Sequence, residues 1–184
     1  TPLPSVPLGT GPAWDQVDNA GADGWDTEVL ASKAAEQLGA LGKLLVRPEA
    51  IQTPDLEPLA TEDFACADLR PATLEVVFQD AVLRVERGGE EGAKKEVSRT
   101  HRGLAGLAEA LNALAAPFRG ARDARCELKV AGVSRAGDST VTRQLFAMSG
   151  GTREGFLEQT AAWTATWAFD AAGAPPRLRA IDVH

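Results

Sequence analysis

The side chains able to do chemistry in this 184-residue chain are few: two histidines, two cysteines, scattered carboxylates, four tryptophans and no tyrosine. His101 is the internal imidazole. An imidazole can move a proton near neutral pH when a carboxylate orients it, and Asp63 is the acid assigned to that role. His101 with Asp63 is thus a weak catalytic candidate. The simpler account of His101 is an exposed residue just before a helix, and His184 ends the chain as a solvated group. No serine sits in G-x-S-x-G, and neither Cys66 nor Cys126 has a histidine neighbour. The two cysteines can form one disulfide, stay free, or be buried as small hydrophobes, and free buried thiols are favoured. With no C-x-x-C, a zinc site is not expected. Asp55, Glu57, Glu62, Asp63 and Asp68 lack the calcium-loop spacing and read as solvated surface. The glycine pairs 88–89 and 150–151 lack the lysine and strand-loop-helix context of a phosphate cradle, so no cofactor is expected.

The aromatic residues offer a different chemistry. Trp163 and Trp167 stand four apart in a strand-like run, so both side chains and Phe169 point to one face. Facing a helix, they are core. Facing a cone mouth, they line an apolar pocket for a hydrophobic or planar ligand, with Arg143 as its guard. Trp163, Trp167, Phe169 and Arg143 are therefore the ligand-binding candidates.

These residues must be positioned by the last third of the chain. From 125 onward, alternation predicts four strands, near 126–130, 139–148, 156–169 and 177–184, joined by short turns into an antiparallel meander. Leu104, Leu107, Leu111, Leu114 and Phe118 recur at steps of three and four, giving a helix over 103–118 with one apolar stripe. A second helix is predicted over 26–46, where Gly39 and Gly42 weaken it or allow close packing on the sheet. Residues 48–71 read as irregular, with short helical turns near 57–59 or 61–64. Residues 73–87 have β character, as one bent strand or a hairpin, followed by a charged, flexible loop over 88–96 and a short strand at 97–101.

Composition bounds the partners. Net charge is −7 and the isoelectric point is near 4.9, with no basic patch, which excludes nucleic acid as the expected ligand. No apolar run is long enough to span a membrane. Residues 1–27 hold four early prolines and read as an extended strap or linker, in which Trp14 or Trp25 docks on the body. Residues 28–184 form one domain.

The order helix, irregular segment, strand or hairpin, helix and four-stranded meander resembles the NTF2-like (SnoaL-like, cystatin-like) superfamily. Phrases such as L-A-T-E-D-F at 59–64 and F-L-E-Q-T-A-A-W-T-A-T-W at 156–167 carry the resemblance, which covers about residues 28–184. It implies an α+β fold in which a curved antiparallel sheet wraps a long helix as a cone with a pocket at its mouth. It also implies either a non-catalytic binding domain or a small isomerase, dehydratase or hydrolase. The isomerase arrangement, a carboxylate base with a tyrosine donor, cannot be carried over because tyrosine is absent. The expectation is an accessory domain of a larger exported protein, extracytoplasmic from its Pro-rich start without Met. It would bind a protein surface or a small apolar ligand, with a homodimer through the sheet.

Overall fold

The computed structural model describes residues 25–88, 99–136, 139–169 and 174–184. The N-terminal strap lies outside these residues up to 24, as does most of the charged loop after Gly88. Helix α1 (Trp25–Leu45) leads through a single helical turn, α2 (Thr53–Leu56), into strand β1 (Ala60–Cys66). Strands β2 (Leu74–Gln79) and β3 (Arg84–Gly88) follow, then the short β4 (His101–Arg102) and helix α3 (Gly103–Ala115), which ends in a 3-10 turn at Ala116–Phe118. The chain closes with β5 (Arg122–Ala136), β6 (Ser139–Gly151), β7 (Phe156–Ala168) and β8 (Arg177–Val183).

Strands β5 to β8 form the expected meander. Alternation sets which face is buried. On β6, Thr140, Thr142, Gln144, Phe146 and Met148 point inward, and Arg143 and Leu145 point out. Bulges between Val130 and Gly132 on β5, and near Trp167 where β7 meets β8, interrupt the register. Such interruptions bend a sheet and increase its twist, and the result is a curved, open sheet.

The segment over 60–66 corrects the sequence expectation. It is not a helical turn but β1, which lies between β8, its parallel neighbour, and β4, its antiparallel one. The sheet order is therefore β4-β1-β8-β7-β6-β5. A-T-E-D-F-A-C has little intrinsic strand preference. Its place is set by two neighbouring strands and by burial of Thr61, Phe64 and Cys66, and such context outweighs propensity in sheets.

The segment between α1 and β1 satisfies its backbone through side chains. Asn112 of α3 accepts from the Ile51 N–H at 3.0 Å and donates to the Ile51 carbonyl at 2.9 Å. The Arg47 guanidinium donates twice to the Asp55 carboxylate, which also accepts from the Gln52 N–H at 2.9 Å. These contacts hold the Asp55 carboxyl below the usual range, with the Arg47 bond the largest cause. Helix α1 lies over β5 and touches β6, and α3 lies over β1 and β4. Leu38, Leu41 and Leu45 from α1 and Leu107, Leu111 and Leu114 from α3 meet Phe146, Met148, Trp163, Trp167 and Ile181 in one core.

The helical glycines differ in their surroundings, and this gives a paired test. A Cβ at Gly39 meets nothing within 4 Å, so the glycine serves no close contact there. A Cβ at Gly106 falls 2.8 Å from the His101 carbonyl carbon, because the first turns of α3 fold back onto β4. Gly39→Ala is expected to stabilise the protein by about 0.5–1 kcal/mol through helix propensity alone. Gly106→Ala is expected to destabilise it despite the same propensity gain. Urea denaturation of both variants checks the pair, and a gain at both positions would contradict this packing.

Candidate functional site

The inner face of the sheet is where the sequence places a ligand. Trp163 and Trp167 lie there, each 1% exposed, with Ala165 between them. Trp163 stacks on Phe146, with ring centroids 4.6 Å apart and planes 7° apart. The pair is diagonal across the ladder, since Phe146 faces Ala161 and Gln144 faces Trp163. The Trp167 indole N–H donates to Thr142 Oγ1 at 2.8 Å, and the Thr142 hydroxyl donates to Gln144 Oε1 at 2.8 Å. That short chain satisfies Trp167. It leaves Gln144 Nε2 and the Trp163 indole nitrogen buried without partners. Neither nitrogen is open to a water-sized sphere, so the interior beside them is filled by protein.

Of the four ligand candidates, Trp163 and Trp167 are core. Phe169 is half-buried and packs at the edge of that core. Arg143 is exposed on the opposite face, where its strand partner is Thr164, because adjacent residues of a strand point to opposite sides. It cannot guard the tryptophans.

The acid–base candidates are also redistributed. Asp63 is on β1 and pairs with Arg179 of β8 at 2.8 Å. Its carboxyl is held low, first by Thr61 and then by Arg179. His101, on the edge strand β4, meets two other carboxylates: Nε2 lies 2.8 Å from Asp68 Oδ1, and Nδ1 lies 3.5 Å from Glu109 Oε2. Sequence reasoning missed Asp68 and Glu109 as partners. Glu109 comes from α3, and only the fold back of that helix onto β4 brings it to the imidazole. Cys66 is the strand partner of His101. Its thiol is buried, and burial with nearby Asp68 and Asp182 pushes it up to about 12. Cys126 is likewise pushed up to about 12 by burial, and both cysteines are free. An oriented imidazole is thus present, but the adjacent sulfur is not a thiolate.

Among the described residues, two open concavities lie on the outside. One, of about 460 Å³, is lined by Glu127, Lys129, Leu145, Ala147 and Thr160 on the outer sheet face. The other, of about 560 Å³, is lined by Thr61, Glu62, Asp63, Arg177 and Arg179. Neither includes His101, Trp163 or Trp167.

The most distinctive surface is the hairpin β2–β3, a separate two-stranded sheet. Val76, Val77, Phe78, Leu83 and Val85 are 38–54% exposed, and Val82 at its tip is 95% exposed. The sequence marked this segment as β but not as a surface. The available signal was the unbroken V-V-F, since a strand with one solvated face alternates.

The two cysteines, Cys66 buried and Cys126 half-buried, supply a test. A thiol held near 12 is almost wholly protonated at pH 8, and thiolate is the reactive form. Native protein treated with an aromatic disulfide reagent is expected to release signal from neither cysteine until it unfolds, about 10³-fold slower than the denatured chain. Rapid titration of Cys66 in native protein would contradict the burial and restore a nucleophile beside His101.

No family model matches the chain, and no curated protein sequence matches it. Solved structures do. An NTF2-like protein with a cystatin-like fold from Novosphingobium aromaticivorans aligns at 14% identity and TM-score 0.55, over 90% of this chain and 89% of that one. An NTF2-like superfamily protein from Salmonella enterica aligns at 11% identity and TM-score 0.51, over 86% and 92%. A Mycobacterium tuberculosis protein of unknown function, Rv3472 (D26N), aligns at 12% identity and TM-score 0.50, over 96% and 76%. At these identities the likeness is one of fold: the chain adopts the NTF2-like α+β cone.

Proposed function

We propose that this chain is a non-catalytic binding domain that meets a protein partner through the hairpin β2–β3. The observation that carries this is the hairpin's six large apolar side chains, held in solvent on a scaffold whose interior is filled. Contiguous exposed apolar surface of this kind marks interaction sites on soluble domains. A small apolar ligand inside the cone is less favoured, because it must first displace Trp163 and Trp167. The second reading, a small enzyme, rests on His101 between Asp68 and Glu109. That imidazole lies on an edge strand, outside both concavities and beside a protonated thiol.

A photo-crosslinking amino acid placed at Val82 in the native host tests the proposal, with the same group at Val29, an exposed position on α1, as control. A discrete protein adduct at 82 and none at 29 is expected. Absence of any protein adduct at 82 would overturn the proposal.

A further inference from the structure

The hairpin β2–β3 is poorly covered by its own chain. Its two strands pack substantially on each other and on no other described element. A two-stranded hairpin is marginal in water and normally needs a third strand or a packed layer. Here both strands are exposed along most of their length, with only Leu74 and Gly88 half-buried at the base. A register shift between Val76 and Phe78 adds Val77 to the apolar residues of β2. The tip is pre-set. Asp80 accepts from the Val82 and Leu83 N–H groups at 2.8 and 2.7 Å, and its own N–H donates to the Leu83 carbonyl at 2.9 Å. Val82 is thereby presented on a fixed turn, which lowers the ordering cost of binding.

The charge pattern narrows the occupant. Over 70–88, Arg70, Arg84 and Arg87 balance Glu75, Asp80 and Glu86, so this surface is neutral on a chain of net charge −7. Arg84 and Glu86 pair with each other. A neutral patch gives no attraction to an anionic lipid surface, and the remaining chain is repelled by one. It equally lacks the field to select a highly charged protein. It does let two copies of an acidic chain approach where like-charge repulsion is least.

We infer that the partner of hairpin β2–β3 is a second copy of this chain, joined hairpin to hairpin about a two-fold axis. This rests on the protein-binding proposal above. Two hairpins together supply four strands, which passes the threshold at which a small sheet becomes stable. The six exposed side chains and their charged rim, contributed by both copies, are the surface from which the ~1,000 Å² of a specific interface would have to be built. A closed two-fold contact is also the commonest solution for a self-complementary surface. The homodimer expected through the six-stranded sheet is thereby moved to the two-stranded one.

Sedimentation velocity of the full chain across the micromolar range tests this. The wild type should move from 19.3 kDa toward twice that mass with concentration. Val77→Glu with Leu83→Glu should weaken association at least tenfold without changing the circular-dichroism melt, since both side chains are exposed. Leu145→Glu, on the outer face of the large sheet, should leave association intact. A wild type that stays monomeric throughout, or a dimer broken by Leu145→Glu but not by the hairpin double variant, overturns the inference. If Val82 then crosslinks to a different protein, the partner-binding proposal stands and only the second copy is rejected.

Discussion

The stacked pair of Phe146 and Trp163 sets what the rest of the molecule can be. It joins β6 to β7 across the ladder on the inner face, at the middle of the curved sheet. Such a pair contributes about 0.5–1.5 kcal/mol beyond the area it buries. It also occupies the volume that a ligand would need. Around it, polar groups are only partly served. Trp167, Thr142 and Gln144 form a chain of two hydrogen bonds, while Gln144 Nε2 and the Trp163 nitrogen are left over. A buried donor without a partner costs about 1–3 kcal/mol. The inner face is therefore held by packing of large rings and leucines, and it keeps its form despite those unpaired donors.

A filled interior leaves the outer surfaces as the accessible ones. The helices that close the cone do so from two sides, α1 over β5 and α3 over β1 and β4. The same fold back of α3 that covers β1 brings Glu109 to 3.5 Å from His101, whose imidazole hydrogen-bonds Asp68 at the sheet edge. Its strand partner Cys66 belongs to the core. Charged pairs elsewhere, such as Arg99 with Asp182 and Arg179 with Asp63, tie neighbouring elements on the surface and contribute little individually. Among the described residues, the exposed large apolar side chains are concentrated on the hairpin between β1 and β4, with Val29, Leu145 and Phe156 exposed singly elsewhere.

Much of the fold was legible because its signals are local. The stripe of Leu107, Leu111 and Leu114, the helix before Pro48 and the alternation from Cys126 onward each declare themselves within a dozen residues. The strand β1 was not legible, since its partner β8 lies more than a hundred residues away and A-T-E-D-F-A-C carries no strand preference of its own. The site was legible only in part. Periodicity placed Trp163 and Trp167 on one face, but whether that face is filled depends on helices that approach from elsewhere in the chain. The same alternation already put Arg143 on the opposite side from Gln144. His101 was found as the internal imidazole, but its carboxylates come from the β1 exit and from α3, distances in sequence that spacing does not encode.

Hydrogen exchange of the Trp163 and Trp167 indole N–H groups, followed by heteronuclear NMR, tests most directly whether the cone is closed. A filled interior predicts that both exchange only through global unfolding, at rates matching the most protected backbone amides of β6 and β7. Exchange of either indole orders of magnitude faster than those amides would show that the interior opens, and would return the inner face to consideration as a binding pocket.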